Sequence, residues 1–189
     1  MTYTRLTTHP RRQRCGLLLA AVATALITAG CHVNQPYEPT PTTEAAKALD
    51  VLKSLPSLED TKIQVQAAID DIKAAAGQQI PTITWETPSG GSGLGCERPY
   101  DQSDGQGYFL PHAVAVRVTV SEQQWATLQD AAKASAAKLG ANDIQVMKDQ
   151  PGNHDVGFYG PTGLFIKISY SGNLVLSGYT GCRLPQDKK

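Results

Sequence analysis

The sharpest chemistry in this chain belongs to its four cysteines. Cys31 stands behind Thr28-Ala29-Gly30, with Arg11, Arg12 and Arg14 upstream and no charge between Gly16 and Ala29. A basic start, a short apolar core and a small-residue cleavage site make a secretory signal. A cysteine directly after that site is a lipid acceptor. Its thiol takes a palmitate-type chain, and cleavage leaves it as the new N-terminus. Residues 1–30 are therefore expected to be a lipoprotein signal peptide with a lipobox, and Cys31 the lipidated residue. Thr28 occupies the lipobox position where leucine is usual, and Leu26 and Ile27 supply the bulk. The apolar core is too short to cross the ~30 Å hydrocarbon layer, which takes about 20 residues. Acyl chains contribute about 0.8 kcal/mol per buried CH₂, so two or three of them hold a protein firmly. The expected place is the extracytoplasmic face of the cell membrane. The alternative is ordinary secretion with a chance cysteine at 31.

Cys15 leaves with the signal. Cys96 and Cys182 remain in an oxidising compartment, where a disulfide between them is the economical reading. It would close the loop from 96 to 182 and contribute on the order of 4 kcal/mol. The competing reading, a thiol or metal pair, finds no CxxC and no clustered histidines. No metal and no cofactor are expected.

Other chemistry is weaker. Gly91-Ser92-Gly93-Leu94-Gly95 runs into Cys96-Glu97-Arg98-Pro99, which opens no helix, and the phosphate-loop lysine is missing. Nucleotide binding is set aside. Asp101-Gln102-Ser103-Asp104-Gly105 puts glycine fifth instead of sixth and lacks a closing glutamate, so it reads as a polar turn. No Gly-x-Ser-x-Gly elbow is present. His32, His112 and His154 have no partner at diagnostic spacing and read as structural or solvated. Glu86, Glu97, Asp101 and Asp104 are the acids available to a hydrolase. The glycine-rich stretch 88–111 has the most to offer, because long irregular loops in compact domains are often functional. A loop tethered by a disulfide, with charged and aromatic groups, suits recognition. Its candidate contact residues are Arg98, Tyr100, Asp101, Asp104 and Tyr108.

These residues must be positioned by the elements around them. Residues 31–44 carry Pro36, Pro39 and Pro41 and read as a tether, extending ~3.1 Å per residue. Thr40, Thr42 and Thr43 have two readings there, O-glycosylation or a bare spacer. Residues 45–189 are expected to form one globular domain. A short helix over 44–54 stops before Pro56. A longer one starts at Ser57, buries Leu58, Val65, Ile69, Ile72 and Ala76, and ends at Gly77. Residues 82–87 alternate as a strand. Residues 109–120 read as the clearest strand, with Val114, Val116, Val118 and Val120 on one face. Ser121-Glu122-Gln123-Gln124 is a capping box. It opens a helix with Trp125, Leu128, Ala132, Ala136 and Leu139 inward and Gly140 as its stop. Strands over 143–149, 155–159, 163–170 and 174–180 follow. The fold class is two-layer α+β: an antiparallel sheet of five to six strands with two amphipathic helices on one face. Without residues 1–30 the chain has 13 basic and 17 acidic residues, a net −4. That excludes a nucleic-acid partner.

Several of these residues form a pattern. The Cys31 lipobox, Ile80-Pro81 with Trp85, Gly95-Cys96-Glu97-Arg98-Pro99, the capped helix before Leu139-Gly140-Ala141, and the lone late Cys182 resemble the LppA-like lipoproteins of mycobacteria. The likeness covers most of the mature chain. It implies a cell-envelope lipoprotein and brings no catalytic residues with it. The functional expectation is a non-enzymatic binding or interaction domain, its partner an envelope lipid, a glycolipid or a protein. A lipid carrier would need a deep cavity, for which Ala76, Ala132 and Ala136 would leave room. The alternatives are a hydrolase of envelope polymers acting through acids near Cys96, and a structural surface antigen.

Overall fold

The computed structural model describes residues 37–189. The expected signal peptide, the expected lipid acceptor Cys31, and His32 lie outside the described residues. Helix α1 covers Thr42–Ser54, with Glu44 in its first turn and Lys53 in its last, as the helix dipole favours. Helix α2 covers Leu58–Gln79, and Ser57 caps it by accepting the Asp60 N–H at 3.0 Å. The expected stripe is buried, but Gly77 does not end the helix. It stays helical, and the Ile80 N–H still reaches the Ala76 carbonyl at 2.8 Å. Helix α3 covers Glu122–Ala137 behind the complete Ser121–Gln124 capping box. Gly140 then turns the chain at φ +74°.

Seven antiparallel strands make the sheet: β1 Ser92–Gly95, β2 Gln106–Phe109, β3 Ala113–Ala115, β4 Asp143–Gln150, β5 Asn153–Tyr159, β6 Phe165–Tyr170 and β7 Leu174–Tyr179. Their spatial order is β1-β2-β7-β6-β5-β4, and β3 also pairs with β7. Helices α2 and α3 lie on one face, over Phe158, Ile166, Ile168, Leu174 and Leu176. At Gly178 a Cβ would stand 2.6 Å from Val65 Cγ1, so the bare backbone is what lets α2 settle on β7. Helix α1 packs elsewhere, its Leu52 joining Cys182 and Leu184 in a separate cluster at the disulfide. Among the described residues no helix is long and apolar enough to cross a membrane.

Three expectations about the strands are also corrected. Residues 82–87 contribute only a single bridge, Glu86 to Val114. The expected strand 109–120 is broken at Pro111, which has no N–H to donate, and ends where Arg117 turns at φ +52°. Its inward residues are Ala113 and Ala115, opposite Leu176 and Leu174, while Val116 is exposed. The alternation was real, but pairing with β7 chose the other face. The glycine-rich stretch also contains β1, which pairs along its full length with β2.

Candidate functional site

The face of the sheet away from α2 and α3 carries the site. Strand register places Tyr159 beside Phe165, Phe165 beside Tyr179, and Tyr179 beside Phe109. Four half-buried aromatic rings thus form one row across β5, β6, β7 and β2. Ring centroids are 5.6 Å apart for Tyr159–Phe165, 5.7 Å for Phe165–Tyr179 and 4.4 Å for the stacked Tyr179–Phe109 pair. Tyr179 lies over Gly107 and Tyr159 over Gly157, where a Cβ would collide with each ring. Beside this row runs a polar one on the same face: Gln145, Lys167 and Ser177, in register around Gly157.

The row runs along a cleft of about 390 Å³, whose wall includes Phe165, Tyr179 and Phe109 and leaves Tyr159 outside. Leu94, Glu97, Arg98, Tyr100 and Thr162 complete its wall, with the Cys96–Cys182 bridge at its side. That bridge holds the two Cα atoms 5.6 Å apart and so pins the loop to the end of β7. Burial, with the Glu97 carboxylate nearby, pushes the Tyr179 phenol above its ordinary 10, while Arg183 pulls the other way. Arg183 itself is 4 % exposed. Its Nε donates to Thr61 Oγ1 at 3.2 Å, and its Nη1 donates to the Cys182 carbonyl at 2.8 Å and to Thr162 Oγ1. Burial lowers its guanidinium, and the phenols of Tyr100 and Tyr179 offset part of that.

The five candidate contact residues do not share one surface. Arg98 and Tyr100 line the cleft. Asp101 is not part of the cleft wall and accepts the Thr40 N–H at 3.2 Å and the Thr40 hydroxyl. Asp104 borders a different hollow of about 640 Å³ and faces Lys188 at 3.8 Å. Tyr108 lies on the helix side of β2, with Lys62 Nζ 4.0 Å above its ring. The larger hollow lacks an aromatic wall, whereas the 390 Å³ cleft combines apolar rings with a few polar groups, the usual makeup of a ligand site. Tyr159, Phe165 and Tyr179 went unnoticed in the sequence, because only strand register makes them a row with Phe109 of the glycine-rich stretch.

Thr40 is 5 % exposed and belongs to the folded body, although its position in the sequence reads as tether. Its hydroxyl also accepts from Arg98 Nε at 3.4 Å. His112 is exposed. His154 is buried, between Asp149 and Glu122. Among the described residues no group of three His, Cys, Asp or Glu could hold a metal. Ala76, Ala132 and Ala136 are fully buried within the helix–sheet core.

A family model described as LppA, a lipoprotein confined to pathogenic Mycobacterium, matches residues 33–186. The chain belongs to the LppA family. Family membership carries with it membrane-anchored residence in the cell envelope. Two crystal structures share the fold. Lipoprotein LppA from Mycobacterium tuberculosis is 17% identical, with TM-score 0.62, over 77% of this chain and 89% of that one. A DUF4853 family protein from Actinomyces odontolyticus is 14% identical, with TM-score 0.52, over 73% of this chain and 74% of that one. No curated protein matches the chain. For this LppA-family member the likeness supplies a fold and a lipoprotein class, and no catalytic activity comes with either.

Proposed function

We propose that this lipoprotein is a non-enzymatic binding domain, held at the extracytoplasmic face of the membrane by lipid on Cys31, and that its ligand is an envelope glycolipid seated in the cleft beside the disulfide. The observation behind this reading is the cleft itself: Phe109, Phe165 and Tyr179 on one side, Glu97, Arg98 and Tyr100 on the other. The tether favours a ligand that is itself in the membrane. Thr40 contacts Arg98 and lies nine residues beyond Cys31. Nine extended residues reach at most about 30 Å. The acids favour binding over hydrolysis, because Glu97 is, among the described residues, the single carboxylate in the cleft wall where paired-carboxylate hydrolysis uses two, while Asp101 is engaged by Thr40 and Gln102 and Asp104 faces Lys188 on another surface.

Native mass spectrometry of the full-length lipoprotein in detergent, after incubation with a total envelope lipid extract, tests this. A discrete adduct that Arg98→Ala removes supports the reading. A clean mass, or an adduct that Arg98→Ala leaves in place, turns the assignment toward a structural surface protein.

A further inference from the structure

We infer that the aromatic row is a track for a linear oligosaccharide, laid across β5, β6, β7 and β2, with Phe165, Tyr179 and Phe109 in the cleft wall and Tyr159 beyond it. This rests on the cleft as ligand site and names the part of the ligand that the sheet recognises. The solvent face of an antiparallel sheet ordinarily presents polar side chains. Here one row is aromatic across four strands, and its neighbour, Gln145, Lys167 and Ser177, is polar. Two of the rings have a local task, Tyr179 covering Gly107 and Tyr159 covering Gly157. Phe109 and Phe165 have no such glycine beneath them, and yet they stand in the same line.

A sugar ring has the matching chemistry. Its C–H face stacks on an aromatic plane, and its hydroxyl edge needs hydrogen-bonding groups alongside. Gln145 offers both a donor and an acceptor, Ser177 a hydroxyl, and Lys167 an ammonium that Asp155 occupies on one side at 3.0 Å. An acyl chain would leave that polar row unused. Three strand spacings make the row about 14 Å long, the length of a trisaccharide. Arg98 and Glu97 stand in the wall of the cleft.

The test is calorimetric titration of the full-length lipoprotein in detergent with linear mannose, glucose and galactose oligomers of increasing length. The same sugars are then presented on diacylglycerol in phosphatidylcholine vesicles. Affinity should rise with length up to three units and then level off. Tyr159→Ala, at the end of the row outside the cleft, should weaken the trimer about tenfold and leave the monosaccharide unchanged. Gln145→Ala, on a fully exposed edge strand, should weaken the trimer several-fold with an unaltered melting temperature, so the inference stays testable if Tyr159→Ala fails to fold. Preference for sugar-bearing vesicles identifies the source as a lipid headgroup; equal binding of the free oligomer identifies a free glycan, and either supports the track. Length-independent binding that only Arg98→Ala disturbs overturns the track and leaves the cleft reading standing. Absence of any sugar binding, with Arg98→Ala also without effect on lipid adducts, overturns both. Equal binding to vesicles of bare diacylglycerol and phosphatidylcholine, or to an envelope protein in place of every sugar, overturns the track as well.

Discussion

The imidazole of His154 lies flat on the indole of Trp125, ring centroids 4.6 Å apart and planes 10° from parallel. Both ring nitrogens face carboxylates: Nδ1 stands 3.1 Å from Asp149 and Nε2 3.1 Å from Glu122. Glu122 also accepts the Gly152 N–H at 2.9 Å, so the first residue of α3 clasps the β4–β5 turn. A histidine without an evident partner in sequence is a buried link between helix and hairpin.

That link should appear in the acid limb of stability. The Gly152 N–H, and after it His154, holds the Glu122 carboxyl below its ordinary 4.5. A carboxyl depressed in the folded state stabilises above its unfolded value, and that stability is lost as pH falls through the folded one. Melting temperature is therefore expected to drop as pH is lowered below about 4.5. Glu122→Gln should flatten that limb while lowering stability at neutral pH. An unchanged acid limb in the variant would refute the assignment.

The disulfide should dominate stability at the cleft end. Reduction of Cys96–Cys182, or the double change to serine, should lower unfolding free energy by about 2–5 kcal/mol in denaturant titration. Gly105→Ala is a second probe, because its Cβ would stand 2.6 Å from Cys182 Sγ and 3.0 Å from Cys96 Sγ. Crowding of that kind costs about 1–3 kcal/mol. Once the bridge is removed, the alanine should cost less.

Thr40 and Asp101 join the start of the folded body to the loop. Asp101→Ala should raise amide exchange at residues 40–45 and lower stability by about 1–3 kcal/mol, since charge-assisted hydrogen bonds are lost. In a glycosylating host, sugar is expected on the exposed Thr42 or Thr43 and absent from Thr40, which peptide mapping of the mature protein would read. A glycan on Thr40 would mean that this contact is open in the cell.

Tyr179 gives a spectroscopic handle on the cleft. Its phenol titrates above the ordinary 10, chiefly through burial and then through Glu97. The fold favours the protonated phenol, so its contribution is present below the unfolded value and lost as pH rises through the folded one. In tyrosinate absorbance one tyrosine should ionise late, and Glu97→Gln should bring it earlier. Alkaline unfolding is expected to follow that same shift.

Local sequence signals determined the helices, the N-cap at Ser57 and the capping box at Ser121, the turn at Gly140, the antiparallel hairpins after residue 143 and the cysteine pair. Each rests on a periodicity, a cap or a count that a few neighbouring residues contain. The breaks at Pro111 and Arg117 and the inward choice of Ala113 and Ala115 needed the pairing partner, because alternation names two faces without saying which is inside. Strand β1 was hidden for a related reason. Ser92–Gly95 has low strand propensity, and β2 together with the disulfide supplies its order. The site lay furthest from local signals. Phe109, Tyr159, Phe165 and Tyr179 come from four strands spread over 71 positions of the chain, and only the register of β2, β7, β6 and β5 lines them up. The sequence alone determined which segments fold; tertiary pairing decided what the open face presents, because a row across a sheet is a property of register between strands and of no single strand.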